Sequence, residues 1–299
     1  MDKLEAGAYG FLLLTSQLGN PNRKPLTVAQ FRELFRRWEP VKREELSREM
    51  VVEDFVAVGY GREFAGHIIS LLQDAPLLDH YLKRAAKAGC VPVTRASRNY
   101  PVLLRRRLGL DSPGCLWAKG DLALLDTPMI ALVGSRELYP ENEAFAREVG
   151  RQAALQGFTL VSGNARGADK TAQNACLDVG GRVISVVADS LESHGMQDRV
   201  LYLSEGSFDE GFSNQRALSR NRVIHALGLK TFVAQANFGT GGTWSGAEKN
   251  LRFGWSDLYC FRDGSPAMLR LCDMGGIEVG ITDLDCFYDL PQKEDFFDR

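Results

Sequence analysis

The stretch "FTLVSGNARGADKTAQNACLDVGGRVISVVA", residues 158–188, is where the fold is decided. An unbroken apolar run, FTLV, ends in Ser162 and Gly163. A segment of helical composition follows, and RVISVVA is a second apolar run rich in β-branched residues. Continuous runs of this kind suit strands buried on both faces, and a helix between two of them makes a parallel crossover. The alternation extends both ways. Upstream, PMIALVGS reads as a strand and ENEAFAREVGRQAALQG as a helix closed by Gly157. Downstream come helix QRALSRNRVIHALG, strand KTFVAQA, helix SGAEKNLRFG and strand DLYCF, and PAMLRLCDMGGIEV can supply one more helix and strand. The expected class is therefore α/β, a doubly wound and mainly parallel Rossmann-like sheet.

Before residue 89 the pattern is different. LTVAQFRELFRRW has Thr27 placed as an N-cap and apolar residues at a helical period, and VKREELSREM, EFAGHIISLLQDA and LLDHYLKRAAKAG continue in the same manner. The expected organisation is a small helical domain over residues 1–88, the sheet domain over 89–285, and an acidic, aromatic tail over 286–299. CVPVT reads as a short β-branched run, and the remaining lead-in up to residue 125 as turns and short apolar pieces.

No apolar run reaches the roughly 18–20 residues of a membrane helix, and Asp2 and Glu5 precede the short patch at residues 11–14 where a signal peptide would be basic. No membrane association and a cytoplasmic location are expected. The six cysteines include no C-x-x-C pair and the four histidines lie far apart, so reduced thiols and no metal are expected. With a net charge of −2, attraction to nucleic acid has to come from a local patch. Two exist: Arg98 with Arg105, Arg106 and Arg107, which suits a solvated face, and Arg216, Arg220 and Arg222.

In a doubly wound sheet, ligands bind beyond the carboxyl ends of the strands. Three polar, glycine-containing turns fall there: Gly134, Ser135 and Arg136; Ser162, Gly163, Arg166 and Gly167; and the turn leading to Gly241, Gly242 and Thr243. Glycine lets backbone approach a ligand, and free N–H groups at a helix start favour an anion. Each turn alone is explained by tight βα geometry, but three together point to a phosphate-binding surface. Tyr139, Phe238 and Trp244 sit in the same loops and suit base stacking, with core packing an equal explanation for Trp244.

The first turn, GSRELYPEN, is not G-x-G-x-x-G, and no G-x-x-x-x-G-K-[ST] occurs, so no nucleotide cofactor is expected. Ser135 and Ser162 have no general base indicated by spacing. Asp169 falls at a helix start, where capping is the default role, and Glu205 suits either a ribose hydroxyl or an arginine.

In order and separation, VGSR, SGNARGAD, the glycine pair at 180–181, SEG and SRNRVIHALG resemble the DprA (Smf) DNA-processing family. AGCVPVTRASRNYPVLLRRRLGLDSPGCLWAKGD upstream and MLRLCDMGGIEVGITDLD downstream are similar to that family's lead-in and last helix and strand. The resemblance covers about residues 78–285. It implies an extended Rossmann domain that binds single-stranded DNA, passes it to a RecA-like recombinase and acts as a homodimer in natural transformation. It also implies a phosphate pocket at Arg136, Ser162, Gly163, Arg166, Asn221 and Arg222, and no catalytic residue. The chain departs from the family pattern at Asn164, Ala168 and Gln173, and in DSLESHGMQDR after the strand at 182–188. The runner-up is a nucleotide-ligand sensor of the same superfamily, for instance in phage defence, or a nucleotide hydrolase of the cytokinin-activating type. That type carries G-G-x-G-T-x-x-E, but here Gly246 stands three residues after Thr243 and Glu248 comes two later.

Overall fold

The computed structural model of the chain describes residues 4–38 and 49–292. Of the expected helix over VKREELSREM, all but Glu49 and Met50 lies outside them.

The helical start is α1 (Ala6–Thr15), α2 (Val28–Trp38), α3 (Val52–Ala57), α4 (Arg62–Gln73) and α5 (Ala75–Lys87). Thr27 begins α2 as a capping box: its Oγ1 accepts from Gln30 N at 3.2 Å, and its own N–H donates to Gln30 Oε1 at 2.9 Å. Leu34, Phe55, Ile68 and Leu71 form a small core among these helices. Helix α1 bridges two cores: Phe11 meets Phe31 of α2 at 4.9 Å, while Leu12 and Leu13, with Leu78 and Tyr81 of α5, join the main core.

Nine strands form one sheet among the described residues. They are β1 (Val91–Thr94), β2 (Cys115–Gly120), β3 (Met129–Val133), β4 (Thr159–Ser162), β5 (Arg182–Val186), β6 (Val200–Ser204), β7 (Lys230–Val233), β8 (Asp257–Phe261) and β9 (Ile277–Val279), in the order β1-β2-β6-β5-β4-β3-β7-β8-β9. From β6 to β9 the pairings are parallel; β1–β2 and β2–β6 are antiparallel. The α/β, Rossmann-like expectation is met. Two strands went unread in the sequence. CLWAKG and VLYLS are short apolar pieces with no helix between neighbours to betray them, and they pair with each other, Trp117 opposite Ser204.

The remaining helices are α6 (Val102–Leu108), α7 (Pro140–Leu155), α8 (Ala168–Asp178), α9 (Asn214–Ser219), α10 (Asn221–Leu227), α11 (Gly241–Phe253) and α12 (Pro266–Asp273). Strand residues alternate between two cores. Ile130 and Leu132 face α7 and α8, while Ala131 and Val133 face the side of α6, α10, α11 and α12. Phe287 and Leu290, at the start of the expected tail, are buried against the α7–α8 side. Arg107 differs from the solvated face expected of it. Its guanidinium donates to the carbonyl oxygens of Ala226 and Gly228, satisfying the open end of α10.

Candidate functional site

Strand β3 sits at the centre of the parallel order, with β4, β5 and β6 on one side and β7, β8 and β9 on the other. The chain leaves β3 in one direction and returns beside it as β7. Their carboxyl ends therefore part at the switch in strand order, where doubly wound sheets open a crevice. A cleft of about 650 Å³ lies there.

Its walls are tied to one another. Ser135 donates from N and Oγ to Gln235 O, at 3.0 and 3.2 Å, which joins the ends of β3 and β7. Gln235 Oε1 accepts from Tyr139 N at 3.0 Å, and Gln235 Nε2 donates to Glu137 O at 3.1 Å. Thr243 Oγ1 donates to Gly134 O at 2.9 Å, and Asn221 Nδ2 to Gly242 O at 3.0 Å. Eight of the expected site residues line this cleft: Gly134, Ser135, Arg136, Tyr139, Asn221, Gly241, Gly242 and Thr243. Helix α11 opens onto it with no side-chain cap and no acidic residue in its first turn. Arg136 is exposed, with no hydrogen bond or ion pair among the described residues.

The turn after β4 is built differently. Ser162 is fully buried, and its Oγ accepts from Gln173 Nε2 at 2.6 Å, which also reaches Ser185 Oγ at 2.9 Å. Gln173 thus ties β4 and β5 together from α8. Gly167 has φ +85°, and a Cβ there would strike the carbonyl oxygens of Ser135 and Arg136 at 2.5 Å, so glycine is required. Arg166 turns outward to Glu137 at 2.9 Å, both side chains mostly exposed. Ser162, Gly163, Arg166 and Gly167 do not line the cleft, although Ala165 and Asp169 of the same loop do.

Arg220, singled out in the sequence only as part of an arginine patch, also lines the cleft although it is almost fully buried. Its guanidinium donates to Val186 O at 2.9 Å and covers Gly163; its Nε is buried with no partner. Burial lowers its pKa, with the Asp169 charge opposing. Asp169, buried and accepting from Ala165 N at 3.1 Å, is raised by desolvation against the pull of Arg220. Arg222 faces the other way. It donates to Glu205 at 2.7 Å and lines a neighbouring groove. Arg220 is the junction residue between α9 and α10 and Arg222 lies in the first turn of α10, and their side chains take different partners, Val186 O and Glu205.

Of the aromatic residues, Tyr139 and Phe238 are exposed at 70% and 59%, whereas Trp244 is buried, its ring 5.1 Å from that of Phe238. Glu248 is exposed on α11 and lines neither cleft nor groove. Among the described residues no cluster of His, Cys, Asp and Glu suits a metal ion. None of the described helices is long and apolar enough to cross a membrane. The arrangement offers guanidinium charge, a helix start and backbone turns to an anion.

The model of the family described as DNA recombination-mediator protein A matches residues 92–255. The DNA processing protein DprA of Streptococcus pneumoniae is 33% identical over 141 residues, 44% of this chain and 50% of the relative. Protein Smf of Escherichia coli is 37% identical over 142 residues, 44% of this chain and 38% of the relative. The chain thus spans half or less of the length of these two relatives. The X-ray structure of the S. pneumoniae protein superposes with a TM-score of 0.69 at 24% identity, covering 93% of this chain and 96% of that one, and shows the shared fold. A structure of DNA processing protein A from Helicobacter pylori, described for its single-stranded DNA binding mode, gives a TM-score of 0.54 at 25% identity over 65% of this chain and 92% of that one.

Proposed function

The chain belongs to the DNA recombination-mediator protein A family, and on that premise we propose that it binds single-stranded DNA without chemically altering it. The observation that carries this reading is Arg136. Among the described residues it has no hydrogen bond or ion pair, and it lines the switch cleft with the Gly134–Ser135 backbone and the start of α11, which has no side-chain cap. A strand phosphate seated there would meet the Arg136 guanidinium and the N–H groups of Gly241, Gly242 and Thr243, with the buried charge of Arg220 behind. Bases on either side would stack on Tyr139 and Phe238. Passage of the strand to a RecA-like recombinase, action as a homodimer, and a division into a helical domain over residues 1–88 and a binding domain over 89–285 belong to the same proposal. Support comes from the family, and from the relative in H. pylori described as binding single-stranded DNA.

A second reading, a nucleotide sensor, draws on the cleft's volume, which falls in the range of roughly 300–1,000 Å³ usual for small-molecule sites. Hydrolysis has less support, since Glu248 does not line the cleft and Asp169, which does, is buried and takes the backbone N–H of Ala165. The deciding experiment titrates oligo-dT, duplex DNA and free nucleotides at two salt concentrations. Tighter binding of the single strand, with all ligands recovered intact after overnight incubation, is expected. A nucleotide bound more tightly than the strand would favour the sensor, and a released base would make the protein an enzyme.

A further inference from the structure

Beside the switch cleft runs a groove of about 1,080 Å³, between α2 of the helical start and α9, α10 and α11 of the sheet region. Leu218, Asn221 and Gly242 line both, so the two are separated by a single ridge. The groove combines two features rarely left open together on a protein surface. Val28, Leu110, Leu218 and Phe253 line it while exposed at 52%, 51%, 53% and 58%. Arg32 and Lys249 line it too, exposed and with no hydrogen bond or ion pair among the described residues. The acidic residues largely cancel against other arginines. Glu205 is held by Arg222 at 2.7 Å, and Glu210 lies 3.7 Å from Arg216, leaving Asp111 at the rim. Cations beside an exposed aromatic ring suit a single strand, charge for the backbone and a flat face for a base; Phe253 supplies that ring, supported from one side by Trp255 at 5.6 Å.

We infer that a strand held at the switch cleft continues over Leu218 into this groove. Arg32 of α2 and Lys249 of α11 take successive phosphates there, and Leu218 and Phe253 meet the bases. The inference rests on the binding reading above and extends it: the helical start becomes one wall of the DNA path. A second protein chain in the groove is the competing occupant, but continuity with the switch cleft and the surplus of cations, Arg32 and Lys249 against Asp111 without ion pairs among the described residues, favour the strand.

The test uses labelled oligo-dT of about 4 and about 16 nucleotides, spanning the usual site sizes, with wild type, Arg136→Ala and the double variant Arg32→Ala/Lys249→Ala. Both residues of the double variant are exposed, so folding is expected to be retained, checked by circular dichroism. The double variant should bind the long strand about tenfold more weakly and flatten the salt slope by about 1.4, that is about 0.7 for each of two lost phosphate contacts. It should bind the short strand as wild type does, whereas Arg136→Ala weakens both. An unchanged long-strand affinity in the double variant, or an equal loss on both lengths, overturns the groove while leaving the switch cleft standing if Arg136→Ala weakens binding. A double variant that alters only the oligomeric state overturns it in favour of a protein contact. Loss in the double variant with none in Arg136→Ala would keep the groove and remove the switch cleft instead.

Discussion

The guanidinium of Arg220 lies directly over the Cα of Gly163, leaving no room for a side chain between them. This contact joins the turn after β4 to the start of α10 and holds a nearly buried positive charge in the wall of the switch cleft. It ties a glycine that the sequence assigned to ligand approach to an arginine it placed in a surface patch.

Gly163→Ala tests that contact. The added methyl has to displace Arg220 from its bond to Val186 O, at a cost typical of overpacking, about 1–3 kcal/mol. Urea unfolding should show that loss. If the charge of Arg220 supports phosphate binding, affinity for oligo-dT should fall as well. Unchanged affinity in a folded variant would confine Arg220 to a structural part.

Arg136 and Arg222 should behave in opposite ways. Arg136→Ala removes an exposed, unpaired side chain, so stability should hold while strand binding weakens and the salt slope drops by about 0.7. Arg222→Ala strands Glu205, whose side chain is only 11% exposed. It should destabilise by about 1–3 kcal/mol, the usual cost of a buried group left without its partner. Thermal melts and binding titrations on both variants separate the roles; loss of binding by Arg222→Ala at full stability would return it to the phosphate site.

The aromatic residues divide by burial. Tyr139→Ala and Phe238→Ala should each weaken oligo-dT binding by about 1–3 kcal/mol for a lost stacked base, with little change in stability. Trp244→Ala should instead destabilise by about 3–5 kcal/mol, as for a buried aromatic. Denaturation curves that leave Trp244→Ala untouched would contradict its place in the core.

His225 sets an acid limit. It is fully buried on α10, and neither ring nitrogen has a hydrogen-bond partner. Burial pushes its pKa down from 6.5 to about 3. Above pH 6.5 neither the folded nor the unfolded form holds the extra proton, and its contribution to stability is fully present. Below that the unfolded chain gains a proton the folded one excludes, so stability falls by about 1.4 kcal/mol per pH unit until pH approaches the folded value. Between pH 7 and pH 5 the wild type should lose about 2 kcal/mol more than His225→Leu. Parallel losses in the two proteins would show that His225 is not the titrating group.

What the sequence determined by itself was the alternation that makes the sheet. Strands β3, β4, β5 and β7 are buried along nearly their whole length, and a strand covered on both faces reads as a near-continuous apolar run, a local property that one chain displays. The caps and closures were equally local, as at Thr27 and Gly157. Strands β2 and β6 were not legible, because their assignment rests on pairing residues 87 positions apart, such as Trp117 with Ser204. The candidate site divides along the same line. That polar turns follow the strands could be read from order alone, but which of them open on one cleft depends on strand order. β3 and β7 flank the point where strand order reverses and their turns meet there, while after β4 only Ala165 and Asp169 reach the cleft, Ser162 being closed off by Gln173. Arg220 and Arg222, two residues apart, were indistinguishable until tertiary packing covered one side of α10 and left the other beside Glu205. A side chain's chemistry is written in the sequence, but the direction it faces is set by whatever packs against the element that carries it.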